Sequence, residues 1–92
     1  MTDKKWNLIF TREAEKKFLK LDKPVQKQFQ KYIGKVLKSG NPRDFGKPLK
    51  SNLAGLWRYR IGDYRLICVI EDNRLLITTV DLNHRKDVYD TH

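Results

Sequence analysis

The chain has 92 residues, which is enough for one small domain with a single core, so we expect a single small domain and not a large multidomain enzyme. Hydrophobic residues make up 39% of it and aromatic residues 11%, a composition that supports a packed core and argues against a disordered basic tail. Its 20 Lys and Arg residues outnumber its 11 Asp and Glu residues and give a net charge of +9. We therefore expect an anionic partner, either nucleic acid or an acidic protein.

The first half of the chain predicts a strand followed by a helical hairpin. Alternating apolar residues favour a strand over residues 5–10, and Thr11 is a natural N-cap for a helix over residues 12–21. Pro24 begins a second helix, since proline is tolerated in a first helical turn, and Gly40 ends that helix.

The second half predicts a connecting loop and then a meander of three strands. Residues 41–54 hold the remaining prolines and show little periodicity, so we interpret them as an ordered loop. The apolar period then changes to two, and we place strands at residues 56–61, 64–70 and 75–82. Residues 83–92 are predicted to form a polar tail. The order β-α-α-β-β-β predicts one α+β domain over residues 1–92, with the helical hairpin packed on one face of a mostly antiparallel sheet.

Three arginines are predicted to share the other face of this sheet. If Gly62 and Asp63 are the only residues of the hairpin turn, Arg60 lies opposite Arg65, and Arg58 projects to the same side. Like charges that face each other across strands are destabilising, so their convergence suggests a site for an anion such as phosphate. The alternative is a solvated basic face on which the long side chains splay apart.

A second polar cluster follows the last predicted strand. His84 is a candidate for acid–base chemistry, Arg85 is suited to bind a phosphate, and Tyr89 is suited to stack on a base or to move a proton. Each also has a structural explanation, as a surface histidine, a partner of a nearby aspartate, or an anchor for the tail. The two histidines and the single cysteine, Cys68, form no metal-ligand pattern, and no glycine-rich phosphate loop occurs. We expect no metal and no cofactor, and Cys68 in the core of a reduced, cytoplasmic protein.

Two stretches of sequence form motifs, namely Tyr-Arg-Ile-Gly-Asp-Tyr-Arg at residues 59–65 and His-Arg-Lys-Asp-Val-Tyr at residues 84–89. Together with the opening strand, the lysine-rich helix pair and the element order, they resemble the RelE branch of the RelE/ParE toxins over nearly the whole chain. The resemblance implies the RelE-like microbial RNase fold. It also implies a bacterial type II toxin that cleaves mRNA in the ribosomal A site and is held inactive by an acidic antitoxin.

The resemblance also implies a metal-independent mechanism and a set of site residues. A ribose 2′-OH attacks the adjacent phosphate, cationic side chains neutralise the phosphorane, and a base and an acid transfer the protons. The candidate catalytic residues are Arg58, Arg60, Arg65, His84, Arg85 and Tyr89, and the candidate RNA-binding residues are Lys47, Lys50, Arg58 and Lys86.

The sequence departs from the family pattern in its proton-transfer groups. Arg58 and Arg60 fall where RelE-type toxins have two strand lysines, and a guanidinium does not readily serve as a base. A further arginine of some relatives aligns near Asn83 or His84. Arg85 is a candidate replacement for it, and His84 is then a candidate for acid–base catalysis, so the base and the acid stay unassigned.

Two other functions remain open at this point. One is a ParE-like poison of DNA gyrase, since such relatives share the fold and usually lack the RNase residues. The other is a non-catalytic basic module that binds the antitoxin or RNA. For the RelE-type function the expected partners are the acidic antitoxin, the ribosome and mRNA, with operator DNA bound only by the toxin–antitoxin complex and no membrane involved. Apolar runs fall far short of the roughly 20 residues that span a bilayer.

Overall fold

The computed structural model describes residues 5–50 and 55–84, which hold two α-helices and five strands in one sheet. The elements are β1 (Asn7–Phe10), α1 (Arg12–Leu19), α2 (Lys23–Ser39), β2 (Lys47–Pro48), β3 (Trp57–Ile61), β4 (Tyr64–Glu71) and β5 (Leu76–His84). The strand order is β1-β5-β4-β3-β2, with β1 parallel to β5 and the other neighbours antiparallel. The predicted α+β fold with a mostly antiparallel sheet is confirmed.

The helix boundaries follow the local signals in the sequence. The Thr11 side chain accepts a 3.2 Å hydrogen bond from the backbone N–H of Ala14, so Thr11 caps α1 as predicted. Pro24 lies in the first turn of α2, and Gly40 ends the helix in the left-handed conformation with φ 80°. Helix α1 is two residues shorter than predicted, because Lys20 is already its C-cap and Asp22 begins the next helix.

The segment after α2 is more ordered than the sequence predicts. It contains a one-turn 3₁₀ helix, Pro42–Asp44, and the short strand β2, which pairs with β3. Two side chains of β3 hold it in place, since Trp57 Nε1 donates to the Phe45 carbonyl and the Tyr59 hydroxyl donates to the Pro42 carbonyl, both at 2.7 Å. The backbone approaches so closely that a Cβ at Gly46 would collide with the Arg58 carbonyl oxygen.

The last strand is longer than predicted and includes two polar residues assigned to the tail. Asn83 pairs with Arg65, and His84 pairs with Tyr64, so the prediction of a polar tail that begins at residue 83 is wrong for these two positions. Their polarity does not end the strand, because the adjacent strand β4 supplies partners for the backbone groups.

The core lies between the helices and one face of the sheet. Phe29 of α2 and Tyr59, Leu66, Cys68 and Ile77 of the sheet are each at most 1% exposed. A row of aromatic rings crosses this layer with centroid distances of 5.3 to 5.8 Å and consists of Phe10, Phe18, Phe29 and Tyr64. The row ties β1, α1, α2 and β4 together. No helix in the described ranges is long and apolar enough to cross a membrane.

Candidate functional site

The β3–β4 hairpin has the register that the sequence predicts. Ile61 pairs with Tyr64 across the turn, Arg60 pairs with Arg65, and Arg58 pairs with Ile67. Residues that pair directly across antiparallel strands project to the same face. The three arginine positions therefore lie on the face opposite the core, which we call the open face.

A cavity of about 370 Å³ lies on the open face, and Arg58 and Arg65, both half-buried, line it. We call it the open-face cleft. Its other lining residues are Leu49, Leu56, Ile67, Val80, Asp81 and Asn83. The walls are thus mainly apolar, with two guanidinium groups placed against them. A charge interacts more strongly with a bound anion in such surroundings than in bulk water, because the effective dielectric constant is lower.

A β-bulge brings two consecutive residues of β5 to this cleft. Ile67 pairs with Asp81 and Cys68 pairs with Thr79, so Val80 is an extra residue on β5. Strict alternation would place only one of Val80 and Asp81 on the open face, yet both line the cleft.

The carboxylate of Asp81 is held by several donors. Its Oδ1 accepts from Lys17 Nζ at 2.7 Å and from the Leu82 N–H at 2.8 Å, and its Oδ2 accepts from the Asn83 side-chain amide at 3.2 Å. Burial acts to raise the pKa of Asp81, but these hydrogen bonds and the charge of Lys17 outweigh it, so the pKa is lowered. Asp81 is therefore ionised at neutral pH and is a weak base.

Arg60 lies in a different place from the other two arginines. It lines a second cavity, of about 200 Å³, between α2 and the end of the hairpin, together with the α2 residues Lys31 and Lys35. Strand β2 covers β3 only at Trp57 and Arg58, so β3 forms the edge of the sheet from Tyr59 onward. The structure thus brings Arg58 and Arg65 together in the open-face cleft and places Arg60 in the second cavity.

His84 does not join the arginines. Its ring packs edge-on against Tyr64, with centroids 4.9 Å apart and an interplanar angle of 89°. Tyr64 belongs to the residues packed against the core, and the pairing of the two residues puts His84 on that same face. The neighbouring Asn83, opposite Arg65, lines the open-face cleft in its place.

The lysines predicted to bind RNA are partly placed by the structure. Lys47 pairs with Arg58 and is exposed, so it extends the basic surface of the open face toward β2. Lys50 is also exposed, three residues further along the chain. The candidates Arg85, Lys86 and Tyr89 lie outside the described residues.

Cys68 is a core residue, as predicted. It is fully buried, its Sγ lies 3.4 Å from Thr79 Oγ1, and burial raises the pKa of its thiol to about 12. Such a thiol stays protonated and unreactive at neutral pH. Within the described ranges no three His, Cys, Asp or Glu side chains are grouped as metal ligands.

The apolar walls of the open-face cleft were not predicted from the sequence. The available signal was the unbroken apolar run Leu66-Ile67-Cys68-Val69-Ile70 in β4, which indicates a strand with apolar residues on both faces. The sequence did not indicate that Leu49 and Val80 line the cleft, because the position of Leu49 depends on β2 and the position of Val80 depends on the bulge.

The sequence matches the family described as ParE toxin of type II toxin-antitoxin system, parDE, over residues 8–89. Among curated proteins, the Mycobacterium tuberculosis toxin RelG is 39% identical over 51 residues, covering 55% of this chain and 59% of the relative. Toxin RelE of the same organism is 37% identical over 49 residues, covering 53% of this chain and 50% of the relative. The chain thus spans about half the length of the curated relatives it matches.

Solved structures agree with this family. The crystal structure of the toxin–antitoxin complex RelBE2 from M. tuberculosis has a chain that superposes with a TM-score of 0.78 at 28% identity, covering 88% of this chain and 92% of its own length. A mutant of the E. coli toxin RelE in the free state shares the fold, with a TM-score of 0.72 at 23% identity and coverage of 94% and 92%. By sequence and by fold, this chain belongs to the family of ParE toxins of type II toxin–antitoxin systems, within the RelE/ParE superfamily.

Proposed function

We propose that the chain is a ribosome-dependent endoribonuclease that cleaves mRNA in the A site and so inhibits translation. The observation that carries the proposal is the convergence of Arg58 and Arg65 in one concave, mainly apolar cleft. Guanidinium groups are well suited to a phosphate, since each presents several N–H donors in a planar arrangement.

The proposed reaction is transesterification at the phosphate. The ribose 2′-OH loses its proton and attacks phosphorus, the bond to the 5′ oxygen of the next nucleotide breaks, and that oxygen takes up a proton. The products are a 2′,3′-cyclic phosphate and a 5′-OH. Arg58 and Arg65 would stabilise the negative charge of the phosphorane, and a single preorganised donor of this kind is worth about 10²–10³ in rate.

The described residues of the open-face cleft include few groups that can act as a general base or a general acid. Its cations are arginines, which do not lose a proton near neutral pH. Asp81 is a weak base because its hydrogen bonds lower its pKa, and His84 lies on the other face of the sheet. The proposal therefore assigns charge stabilisation to this chain and substrate positioning to the ribosome, and it predicts weak activity toward free RNA.

The proposed partners follow from charge and from the relatives. A chain with a net charge of +9 is suited to an acidic antitoxin, and the solved M. tuberculosis relative is a toxin–antitoxin complex. We expect the antitoxin to cover part of the basic surface or to displace the C-terminal segment in the cytoplasm. Operator DNA would be bound only by the complex.

The test combines the purified chain with ribosomes programmed with a defined mRNA. We expect cleavage within the A-site codon, little cleavage of the same mRNA without ribosomes, and loss of cleavage in Arg58→Ala and Arg65→Ala. Arg74→Ala is the matched control, because Arg74 is exposed and pairs with Glu71 away from the cleft. Intact mRNA with wild-type protein would contradict the proposal.

The match to the ParE toxin family supports one alternative function. A ParE-type toxin would act on DNA gyrase, so a supercoiling assay with gyrase runs beside the ribosome assay. Inhibition of supercoiling together with uncleaved mRNA would favour the gyrase function over the RNase.

A further inference from the structure

The second cavity, which we call the helix–hairpin cleft, is built by one face of α2 and the end of the β3–β4 hairpin. Its α2 residues, Gln28, Lys31, Tyr32 and Lys35, follow the i, i+3, i+4, i+7 spacing of one helix face. The hairpin contributes Arg60, Ile61 and Gly62, and the cleft has a volume of about 200 Å³. A pocket of this size holds a small group rather than a whole nucleotide.

Three cations meet at this cleft without a carboxylate among the lining residues. Lys31, Lys35 and Arg60 are all exposed, and none takes part in the ion pairs formed among the described residues. Lys31 and Lys35 are a like-charge pair at i, i+4, an arrangement that is itself destabilising in a helix. A bound anion would relieve this repulsion.

Two neutral donors complete the lining. Gln28 offers a side-chain amide, and Tyr32 offers a hydroxyl whose pKa is raised by burial, so it stays protonated at neutral pH. The ring of Tyr32 is fixed by edge-on contacts with Phe45 and Tyr59, each with a centroid distance of 6.0 Å. Several donors that converge on one small polar cavity match the oxygens of a phosphate group.

An extended acidic peptide is a less suitable ligand for this cleft. Protein interfaces are centred on apolar or aromatic anchors, and the hydrophobic members of this lining, Tyr32 and Ile61, are half-buried or buried. Among the described residues the large exposed hydrophobics are Ile9 on β1 and Leu19 on α1, away from this cleft.

We propose that the helix–hairpin cleft binds a backbone phosphodiester of RNA, next to the phosphate held in the open-face cleft. Arg58 and Arg60 are two residues apart on β3, which separates their Cα atoms by roughly 7 Å, so one RNA strand can reach both clefts. The identity of the ligand as RNA rests on the proposed function. Lys31 and Lys35 of this cleft would hold the strand in register.

Binding of a 2′-O-methyl RNA oligonucleotide to the full chain tests this site without cleavage, because the oligonucleotide lacks the nucleophilic hydroxyl. The variant is Lys31→Gln/Lys35→Gln, and the control is Lys27→Gln/Lys38→Gln, which removes the same charge from exposed positions of α2 outside the cleft. We expect the first variant to lose at least about tenfold in affinity, and the slope of log affinity against log salt to fall by about 0.7, the value for one phosphate contact on a single strand. The control should retain the wild-type affinity and slope.

Three outcomes would overturn the site. Equal losses in the two double variants would show diffuse attraction to a basic helix, and wild-type binding by the first variant would show that the cleft holds no phosphate. Binding of polyglutamate, an acidic peptide, is measured in parallel. If the Lys31→Gln/Lys35→Gln variant retains RNA binding but loses polyglutamate binding, the cleft belongs to an acidic protein partner instead. These experiments measure binding and not cleavage. The affinities and salt slopes therefore still test the cleft if the chain proves not to be a nuclease.

Discussion

Arg65 is the residue on which the candidate site depends most directly. It lines the open-face cleft, lies opposite Arg60 on the neighbouring strand and is half-buried, so its charge is held close to any ligand there. Arginine keeps this charge in mainly apolar surroundings, where a lysine would lose its proton more readily.

We predict that Arg65→Ala abolishes toxicity and leaves the fold intact. Loss of one charge-stabilising donor should reduce mRNA cleavage by about 10²–10³. The fold should persist, because the substitution also removes a like-charge pair across the hairpin. Growth after induction and the thermal melting curve measure the two effects, with Arg74→Ala as the control. Full toxicity of Arg65→Ala at normal expression would contradict the shared role of the arginines.

The sequence predicted the positions of some candidate site residues better than those of others. Arg58, Arg60 and Arg65 could be placed on one face because a two-residue turn fixes the register of a hairpin, and the alternation of side chains then fixes the face. The same reasoning could not separate Arg60 from the other two, because the division into two clefts depends on how far β2 covers β3. The position of His84 depended on an unpredicted extension of β5.

Helix α2 contains two glycines whose replacement by alanine should change stability in opposite directions. Gly40 ends the helix at φ 80°, whereas Gly34 lies within the helix, and a Cβ at either position would meet nothing within 4 Å. Gly40→Ala should destabilise the protein by about 1 kcal/mol through backbone strain. Gly34→Ala should stabilise it by roughly 0.5–1 kcal/mol through helix propensity.

Chemical denaturation of the two glycine variants measures both free energies of unfolding. Because neither new methyl group contacts anything, the difference in sign isolates the backbone conformation. A change of the same sign in both variants would contradict the left-handed helix end at Gly40.

The ion pair between Lys17 and Asp81 ties α1 to β5 and predicts a pH dependence. The pKa of Asp81 is lower in the folded state than its unfolded value of about 3.9. Its contribution to stability is therefore complete above that value and is lost as the pH falls through the folded pKa. The side chains are 49% and 42% exposed, so the pair is worth less than about 1 kcal/mol.

Urea unfolding at pH 6 and pH 2.5 measures this contribution. At pH 6 the wild type should be more stable than Asp81→Asn, and the difference should shrink at pH 2.5. Lys17→Gln removes the other partner and should also be less stable than the wild type at pH 6, again by a smaller margin at pH 2.5. A difference that is the same at both pH values would contradict the assigned ion pair.

Elements with strong local signals were predicted well, and elements defined by tertiary contacts were not. The helix ends at Thr11 and Gly40 follow from capping chemistry that acts within one turn. Strand β2 has two residues and no alternation, so its existence depends on hydrogen bonds from Trp57 and Tyr59 to the preceding segment. The bulge at Val80 is likewise a property of the paired strands and leaves no pattern in the sequence.

The positive charge and the fold together are the reason why we assign charge stabilisation to this chain and substrate positioning to the ribosome. Arg58 and Arg65 line the open-face cleft, and Arg60 lines the helix–hairpin cleft. The two clefts lie on either side of the part of β3 that does not pair with β2. The described residues of these clefts supply cations and few proton-transfer groups. A toxin of this kind would bind RNA strongly by itself but would cleave it efficiently only when the ribosome positions the substrate.

Ribosome-dependent cleavage of mRNA is tested in cells by mapping the 5′ ends of cellular mRNA after induction of the chain in a bacterial host, with and without a block of translation. We expect new ends inside translated codons, which disappear when ribosomes are blocked and disappear in Arg65→Ala. Growth arrest without mRNA cleavage, or cleavage that persists when translation is blocked, would contradict ribosome-dependent cleavage.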